Sequence, residues 1–442
     1  MSLGRCGRVG LRVLLGVILG SAGWAHAQEA VAGAPTMDSG DTAWVLASAG
    51  LVLLMTPGLA FFYGGLVRRK NVLSVLMQCF MSMCLVTLVW VIYGYSLSFG
   101  PDVKGVIGNL DWVFLKGVGG APNADYAATI PHQAFMAFQL KFAMITPALI
   151  VGAFAERMRF SAFCLFTLLW SSIVYSPVAH WVWGVGGFLR EMGALDFAGG
   201  TVVHINAGMA ALAAALVLGK RVGSLSPPHS LPLAILGAGM LWFGWFGFNA
   251  GSALSAGAVA ANAFVTTHVA TAAAGLGWSL MDWVFHNKPT TLGMITGAVA
   301  GLVAVTPACG FITPASAIWM GLGAAAICWC FVTFVKPKFG YDDTLDAFGV
   351  HGVGGIWGAL ATGLFASTAV NPAGADGLFS GNPKQFGIQL VATLITMVFS
   401  FVVSYILLKV VDRLVGLRVS EQDERIGLDL TQHREAGYTM ID

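Results

Sequence analysis

Charge is what this sequence has least of. Of its 442 residues, Asp, Glu, Lys and Arg make up 10%, where a soluble domain carries about a quarter. So few charges cannot cover a water-exposed surface of this size, which argues against an ordinary soluble protein. The net charge is only +2, so no basic excess suits a nucleic-acid partner. The seven cysteines include no CxxC pair. Most lie in apolar runs, where they read as small buried hydrophobes. There is no G-x-S-x-G, no HExxH and no phosphate loop, so no enzyme and no cofactor or metal site is expected. The 57 glycines follow no G-X-Y period. Small residues at membrane helix crossings account for them better.

What is present is apolar. Hydrophobic types reach 57% and the mean hydropathy is +0.77. Apolar stretches long enough to cross a bilayer fall at about 42–64, 71–98, 133–155, 161–180, 200–219, 232–251, 261–285, 291–307, 315–335, 346–366 and 387–411. The expectation is an all-α polytopic membrane protein with eleven transmembrane helices. Residues 1–27 read as a cleaved signal peptide: Arg5, Arg8 and Arg12, then an apolar run to Gly20, then Ala25-His26-Ala27. The mature chain, 28–442, then starts outside and finishes inside, and a bacterial cell inner membrane is the natural location. Positive charge supports that orientation. Predicted outer segments hold only Lys104, Lys116, Arg190 and Lys384, whereas inner segments hold Arg68-Arg69-Lys70, Arg157, Arg159, Lys220-Arg221, Lys288, Lys336, Lys338 and the basic residues from Lys409 onward. Residues 412–442 are polar and read as a cytosolic tail.

Two echoes recur at a spacing of five helices. Phe61-Phe62-Tyr63-Gly64-Gly65 ends the first span and Gly247-Phe248-Asn249-Ala250-Gly251 ends the sixth. Leu195-Asp196 precedes His204, and Leu345-Asp346 precedes His351. An odd-numbered unit inserts its second copy upside down, so halves at about 42–219 and 232–366 form a five-plus-five inverted repeat, with the eleventh helix outside it. Transporters built this way bind solute between the repeats.

Ionisable groups inside membrane helices are costly and usually functional. His204 and His351 are repeat-related, and two neutral imidazoles near the midplane can share a proton. Asp196, eight residues before His204, is placed to cap its helix. Phe138 and Phe142 share a helix face, as do Phe248 and Ser252. With Trp183 they offer ring faces and a hydroxyl to a cation, although belt and core aromatics give the same pattern. Lys141 lies inside the third span, facing a subunit contact or a polar cavity. Axial ligation of haem by His204 and His351, with His180 and His268 recruited, is a second reading.

Several segments together resemble one family. They are Pro57-Gly58-Leu59-Ala60-Phe61-Phe62-Tyr63-Gly64-Gly65-Leu66, Val151-Gly152-Ala153-Phe154-Ala155-Glu156-Arg157, Leu195-Asp196-Phe197-Ala198-Gly199-Gly200-Thr201-Val202-Val203-His204, Gly244-Trp245-Phe246-Gly247-Phe248-Asn249-Ala250-Gly251-Ser252, Thr306-Pro307-Ala308-Cys309-Gly310, Phe348-Gly349-Val350-His351-Gly352 and Val415-Gly416-Leu417-Arg418-Val419. In this order they resemble the ammonium transporter family (Amt/Mep/Rh), bacterial Amt type, over nearly the whole mature length. The resemblance implies a homotrimer with one pore per subunit. It implies an outer ammonium-recruiting site of Trp183, Phe142 and Ser252 with Phe138 nearby, supported by Asp196. It implies a gate of Phe142 over Phe248 and twin pore histidines, His204 and His351. The tail is similar to the family segment that meets the cytosolic PII signalling protein. An ammonium sensor acting through such a partner is the alternative functional class.

Overall fold

A computed structural model of the protein describes residues 36–223 and 227–438. The proposed signal peptide lies outside the described residues. Apolar runs fold as helices in a bilayer because every backbone N–H and C=O must be satisfied within its own segment. Ten described helices are long and apolar enough to cross a membrane. They are α1 (Ser39–Leu66), α2 (Arg69–Phe99), α3 (His132–Phe154), α4 (Phe160–Met192), α5 (Gly200–Leu218), α6 (Leu231–Ala253), α7 (Ala258–His286), α9 (Pro314–Phe339), α10 (Phe348–Phe365) and α11 (Pro383–Val415). Between α7 and α9 lies α8 (Thr291–Val305), apolar but shorter. The eleven expected spans are therefore all helical and occur in the expected order. One of them, α8, is short for a crossing.

The helices differ in how deeply they sit. The apolar windows of α3 and α5 are 83% buried and that of α10 is 72%, against 33% for α9 and α11. The first three therefore form the interior. Of the longer links, 100–131 carries two small antiparallel strand pairs, β1 (Asp102–Val103) with β2 (Ile107–Gly108) and β3 (Pro122–Asn123) with β4 (Ala127–Pro131).

Two pairs of π turns stand five helices apart, and a further one at Trp90–Gly94 in α2 has no such partner among the described residues. Rare π turns occur at Ser171–Tyr175 in α4 and at Phe331–Val335 in α9. They occur again at Gly200–Ile205 opening α5 and at Phe348–Gly352 opening α10. Each pair is five helices apart. Each π turn in the second pair holds a buried histidine, His204 or His351.

One echo read from sequence is displaced. Leu345-Asp346 is not the counterpart of Leu195-Asp196. Asp343 is: it stands eight residues before His351, as Asp196 stands eight before His204. Asp343 accepts the N–H groups of Ala347 (3.1 Å) and Phe348 (2.8 Å) at the start of α10. Asp346 has a left-handed backbone, φ 57°, and its carboxylate accepts from Lys336 at 2.6 Å. The dipeptide match pointed three residues too far because capping depends on where the backbone N–H groups converge.

The chain beyond α11 folds back on the inner loops. Arg418 donates to the carbonyls of Leu218 (2.8 Å) and Lys220 (2.7 Å), and its Nε meets Glu424 at 2.6 Å. Glu424 accepts from the N–H of Val222 at 3.0 Å. Leu428 N–H donates to Asn71, and Ser74 N–H donates to Asp429, each at 2.8 Å. Residues 416–433 are therefore docked rather than trailing.

Candidate functional site

Asp196 sets the geometry of the outer half. A helix start leaves backbone N–H groups without partners and carries partial positive charge. Asp196 Oδ1 accepts from Gly199 (2.8 Å) and Gly200 (2.7 Å), and Oδ2 accepts from Thr201 (2.9 Å) and Val202 (3.1 Å). The residue is 8% exposed. Burial raises its carboxyl above the usual range even though these four N–H bonds pull it down. With both oxygens occupied, its carboxylate is committed to the helix start. Its carbonyl holds the next group: Trp183 Nε1 donates to Asp196 O at 2.9 Å.

Trp183 is half-buried, and its ring stands edge-on to Phe142 with centroids 5.8 Å apart. Phe138, one turn before Phe142 on α3, lies 5.0 Å from it, also edge-on. Ser252, at the outer end of α6, donates its hydroxyl to Phe248 O at 2.8 Å. Its lone pairs remain to accept, because a hydroxyl carries one donor and two acceptor sites.

Inward from this cluster, Phe142 and Phe248 approach to 4.2 Å between centroids, with an interplanar angle of 34°. Both are essentially inaccessible, so the two rings close off the space between them. His204 follows, 6.0 Å from Phe248, then His351, 5.3 Å from His204, with the two imidazoles within 12° of parallel. They are 1% and 3% exposed. Neither ring nitrogen of His204, nor Nδ1 of His351, has a hydrogen-bond partner. Buried polar groups are rarely left so. Two adjacent imidazoles with free nitrogens make a polar step within apolar walls. Beyond them a cavity of about 380 Å³ is lined by His351, Tyr63, Asp282 and Asp346.

All eight residues singled out from sequence thus meet along one line or touch a member of it. Lys141 does not join them: it is half-buried and has no ion pair among the described residues. The haem reading fails on geometry. Imidazoles 5.3 Å apart leave no room for a macrocycle between them. His180 is held by Asp102 (2.9 Å) and the Ser98 carbonyl (3.1 Å), and His268 lies on exposed α7 surface beside Trp242.

One participant was not singled out. Trp245 lies against His204, centroids 5.3 Å apart and planes 18° from parallel, and fixes its own ring by donating Nε1 to Thr306 Oγ1 at 2.8 Å. Its position three residues before Phe248 on the same helix was the available signal.

The family model for the Ammonium Transporter Family matches residues 43–438. An ammonium transporter of Bacillus subtilis (strain 168) is 55% identical over 403 residues, covering 91% of this chain and 99% of that protein. An ammonium transporter of Aquifex aeolicus (strain VF5) is 50% identical over 429 residues, covering 96% and 99%. Among solved structures, Candida albicans Mep2 superposes with a TM-score of 0.83 at 37% identity, covering 88% of each chain. A structure described as a sensor Amt protein superposes at 0.82 with 30% identity, covering 89% of this chain and 98% of that one.

Proposed function

The chain belongs to the ammonium transporter family and is a multi-pass membrane transporter of ammonium rather than an enzyme, and from that premise we propose how its residues do the work. Ammonium is recruited at the outer face by Trp183, Phe138 and Phe142 through their ring faces, each worth roughly 0.5–2 kcal/mol to a cation. Ser252 accepts one of its N–H bonds, and Asp196 positions Trp183 and the α5 start. A bare ammonium ion cannot go further, because burying it without water costs on the order of tens of kcal/mol. At the Phe142–Phe248 gate one N–H bond breaks, the electron pair stays on nitrogen, and the proton passes to His204 and on to His351. Neutral ammonia crosses the apolar stretch, and the two species rejoin in the inner cavity.

The observation that carries this reading is the continuous line from Trp183 through Phe142, Phe248 and His204 to His351. The runner-up is passive ammonia conduction with no net charge moved. Transport current across a reconstituted bilayer under an ammonium gradient separates them. A current that rises with the gradient supports proton transfer, and ammonia flux with no current supports the runner-up.

The wider setting belongs to the same proposal: a cleaved signal peptide, a bacterial inner membrane with the C-terminus inside, and a homotrimer with one pore per subunit. A PII-type trimer docks at the inner face. A sensing role acts through the same docking, and likeness to a sensor Amt protein supports it. Higher identity to transporters over the full length favours transport as the main activity.

A further inference from the structure

We propose that a second cavity, on the inner face beside the pore exit, binds an oxyanion of the phosphate class. It has a volume of about 340 Å³, and its wall includes Arg68, Lys220, Arg221 and Lys336 against two carboxylates, Glu156 and Asp342.

The carboxylate oxygens are all occupied. Glu156 Oε1 accepts from Arg68 N (2.7 Å), Arg68 Nε (3.0 Å) and Asn71 Nδ2 (2.9 Å), and Oε2 accepts from Arg221 Nη1 at 3.1 Å. Asp342 Oδ2 accepts from Arg221 N (2.8 Å) and Nε (2.9 Å), and Oδ1 from Nη2 (2.9 Å). Lys336 is spent on Asp346 and the Asp343 carbonyl.

The donors are not all occupied. Arg68 Nη2 and the Tyr341 hydroxyl belong to residues of this wall and are buried without a partner, with almost no accessible surface of their own. Lys220 Nζ has none among the described residues. The Lys220 ammonium lines a space that carries more positive than negative charge, and an unpaired guanidinium N–H and hydroxyl lie on residues of the same wall, within reach of a side-chain shift. Buried donors without acceptors are unfavourable, most of all when charged. A tetrahedral group with several oxygens meets donors arriving from different directions, and arginine favours such partners. The excess of cations disfavours ammonium itself.

Free phosphate and a phospholipid headgroup share this chemistry, and the cavity lies where α1 ends and α2 begins. It shares Leu66, Arg221 and Thr344 with the cavity beneath His351. The docked tail grips the same segment through the Lys220 carbonyl and the Val222 N–H. An anion held here therefore sits between the pore exit and the tail.

The test compares the full-length protein with a Lys220→Gln/Tyr341→Phe double variant, which leaves the Glu156 and Asp342 ion pairs in place. Inorganic phosphate is titrated calorimetrically in detergent. Separately, retention of phosphatidylglycerol against phosphatidylcholine is read by native mass spectrometry. Wild-type protein is expected to bind one phosphate-class ligand per chain, about tenfold or more tighter than the double variant, since two hydrogen bonds are lost, one of them charged. Phosphate binding lost in the variant identifies a soluble ligand. Selective phosphatidylglycerol retention lost in the variant identifies a lipid headgroup. Lys220 is exposed, so Lys220→Gln alone, expected to bind about threefold or more weakly, carries the test if the double variant misfolds. Binding of neither ligand by wild type, or equal binding by wild type and variants, overturns the proposal.

Discussion

Gly208 and Gly355 make reciprocal contacts between α5 and α10: each stands four residues after a buried histidine, His204 or His351, and each presses on the helix that bears the other. A Cβ on Gly208 would overlap the Gly352 backbone, next to His351. A Cβ on Gly355 would meet Ile205 N at 3.0 Å and His204 Cβ at 3.1 Å. Helices α5 and α10 can bring their histidines together only because neither has a side chain at this crossing.

The two glycines differ in tolerance. Gly208→Ala strikes backbone that cannot yield and is expected to lower stability by about 1–3 kcal/mol or more, with loss of folded protein. Gly355→Ala needs shifts of only a few tenths of an ångström and should cost less. Thermal melting of both variants in detergent checks the order; Gly355→Ala proving the more damaging would contradict the packing described.

His204→Ala and His351→Ala are each expected to impair charge-coupled transport while leaving the fold intact. If the rings act as one relay, the double variant loses little beyond either single. Current and ammonia flux in liposomes, measured side by side, give the answer. Losses that multiply would mean two independent histidines.

Trp183→Leu should shift apparent ammonium affinity by about two- to thirty-fold, as a single cation–π contact of roughly 0.5–2 kcal/mol implies, and Ser252→Ala should weaken it through the loss of one hydrogen bond to a cation, worth roughly 1.5–3 kcal/mol. Melting temperatures should change little. Trp183 also bonds the Asp196 carbonyl, so Trp183→Leu is expected to soften the α5 start more than Ser252→Ala does. Unchanged concentration dependence in both variants would leave these residues a packing role only.

Glu156 links Arg68, Asn71 and Arg221 on the inner face. Burial works to raise its carboxyl, but the Arg68 guanidinium and N–H and the Asn71 amide hold it below the usual range. A depressed carboxylate contributes stability that is present above its ordinary value and is lost as pH falls through its folded one. The inner face should therefore loosen in acid, below about pH 4.3, and Glu156→Gln should remove the part of that dependence that Glu156 carries. Breaking this buried pair is expected to cost about 3 kcal/mol. Acid titration followed by proteolysis of the inner loops measures it.

The last prediction concerns the tail. The host's own PII protein should bind the full-length chain in pull-downs under at least one nucleotide and 2-oxoglutarate condition. Matched three-fold symmetry would let weak single contacts add through avidity. Deleting residues 420–442 removes the Glu424 and Asp429 contacts with Val222 and Ser74 and should abolish that binding. Binding that survives the deletion would place the dock elsewhere.

How much of this was legible beforehand follows from which forces act locally. The eleven helices could be read because a bilayer demands an apolar run for every crossing, and such a run is visible in one dimension. Phe138 with Phe142, and Phe248 with Ser252, could be paired because helical periodicity alone puts them on one face. The site's residues came chiefly from ordered resemblance, since belt aromatics and pore aromatics look alike in composition.

Tertiary structure alone decided the rest. Asp343 rather than Asp346 mirrors Asp196, because a cap is chosen by converging N–H groups and not by a neighbouring leucine. Trp245 became the ring beside His204 once α6 packed against α5. The tail docked because its acceptors and donors found partners more than 190 residues away in sequence. The order Trp183, Phe142, Phe248, His204, His351 joins α4, α3, α6, α5 and α10. Sequence determined that these helices exist. Which faces meet depends on close packing at small residues such as Gly208 and Gly355, and that is settled only when all the helices are in place.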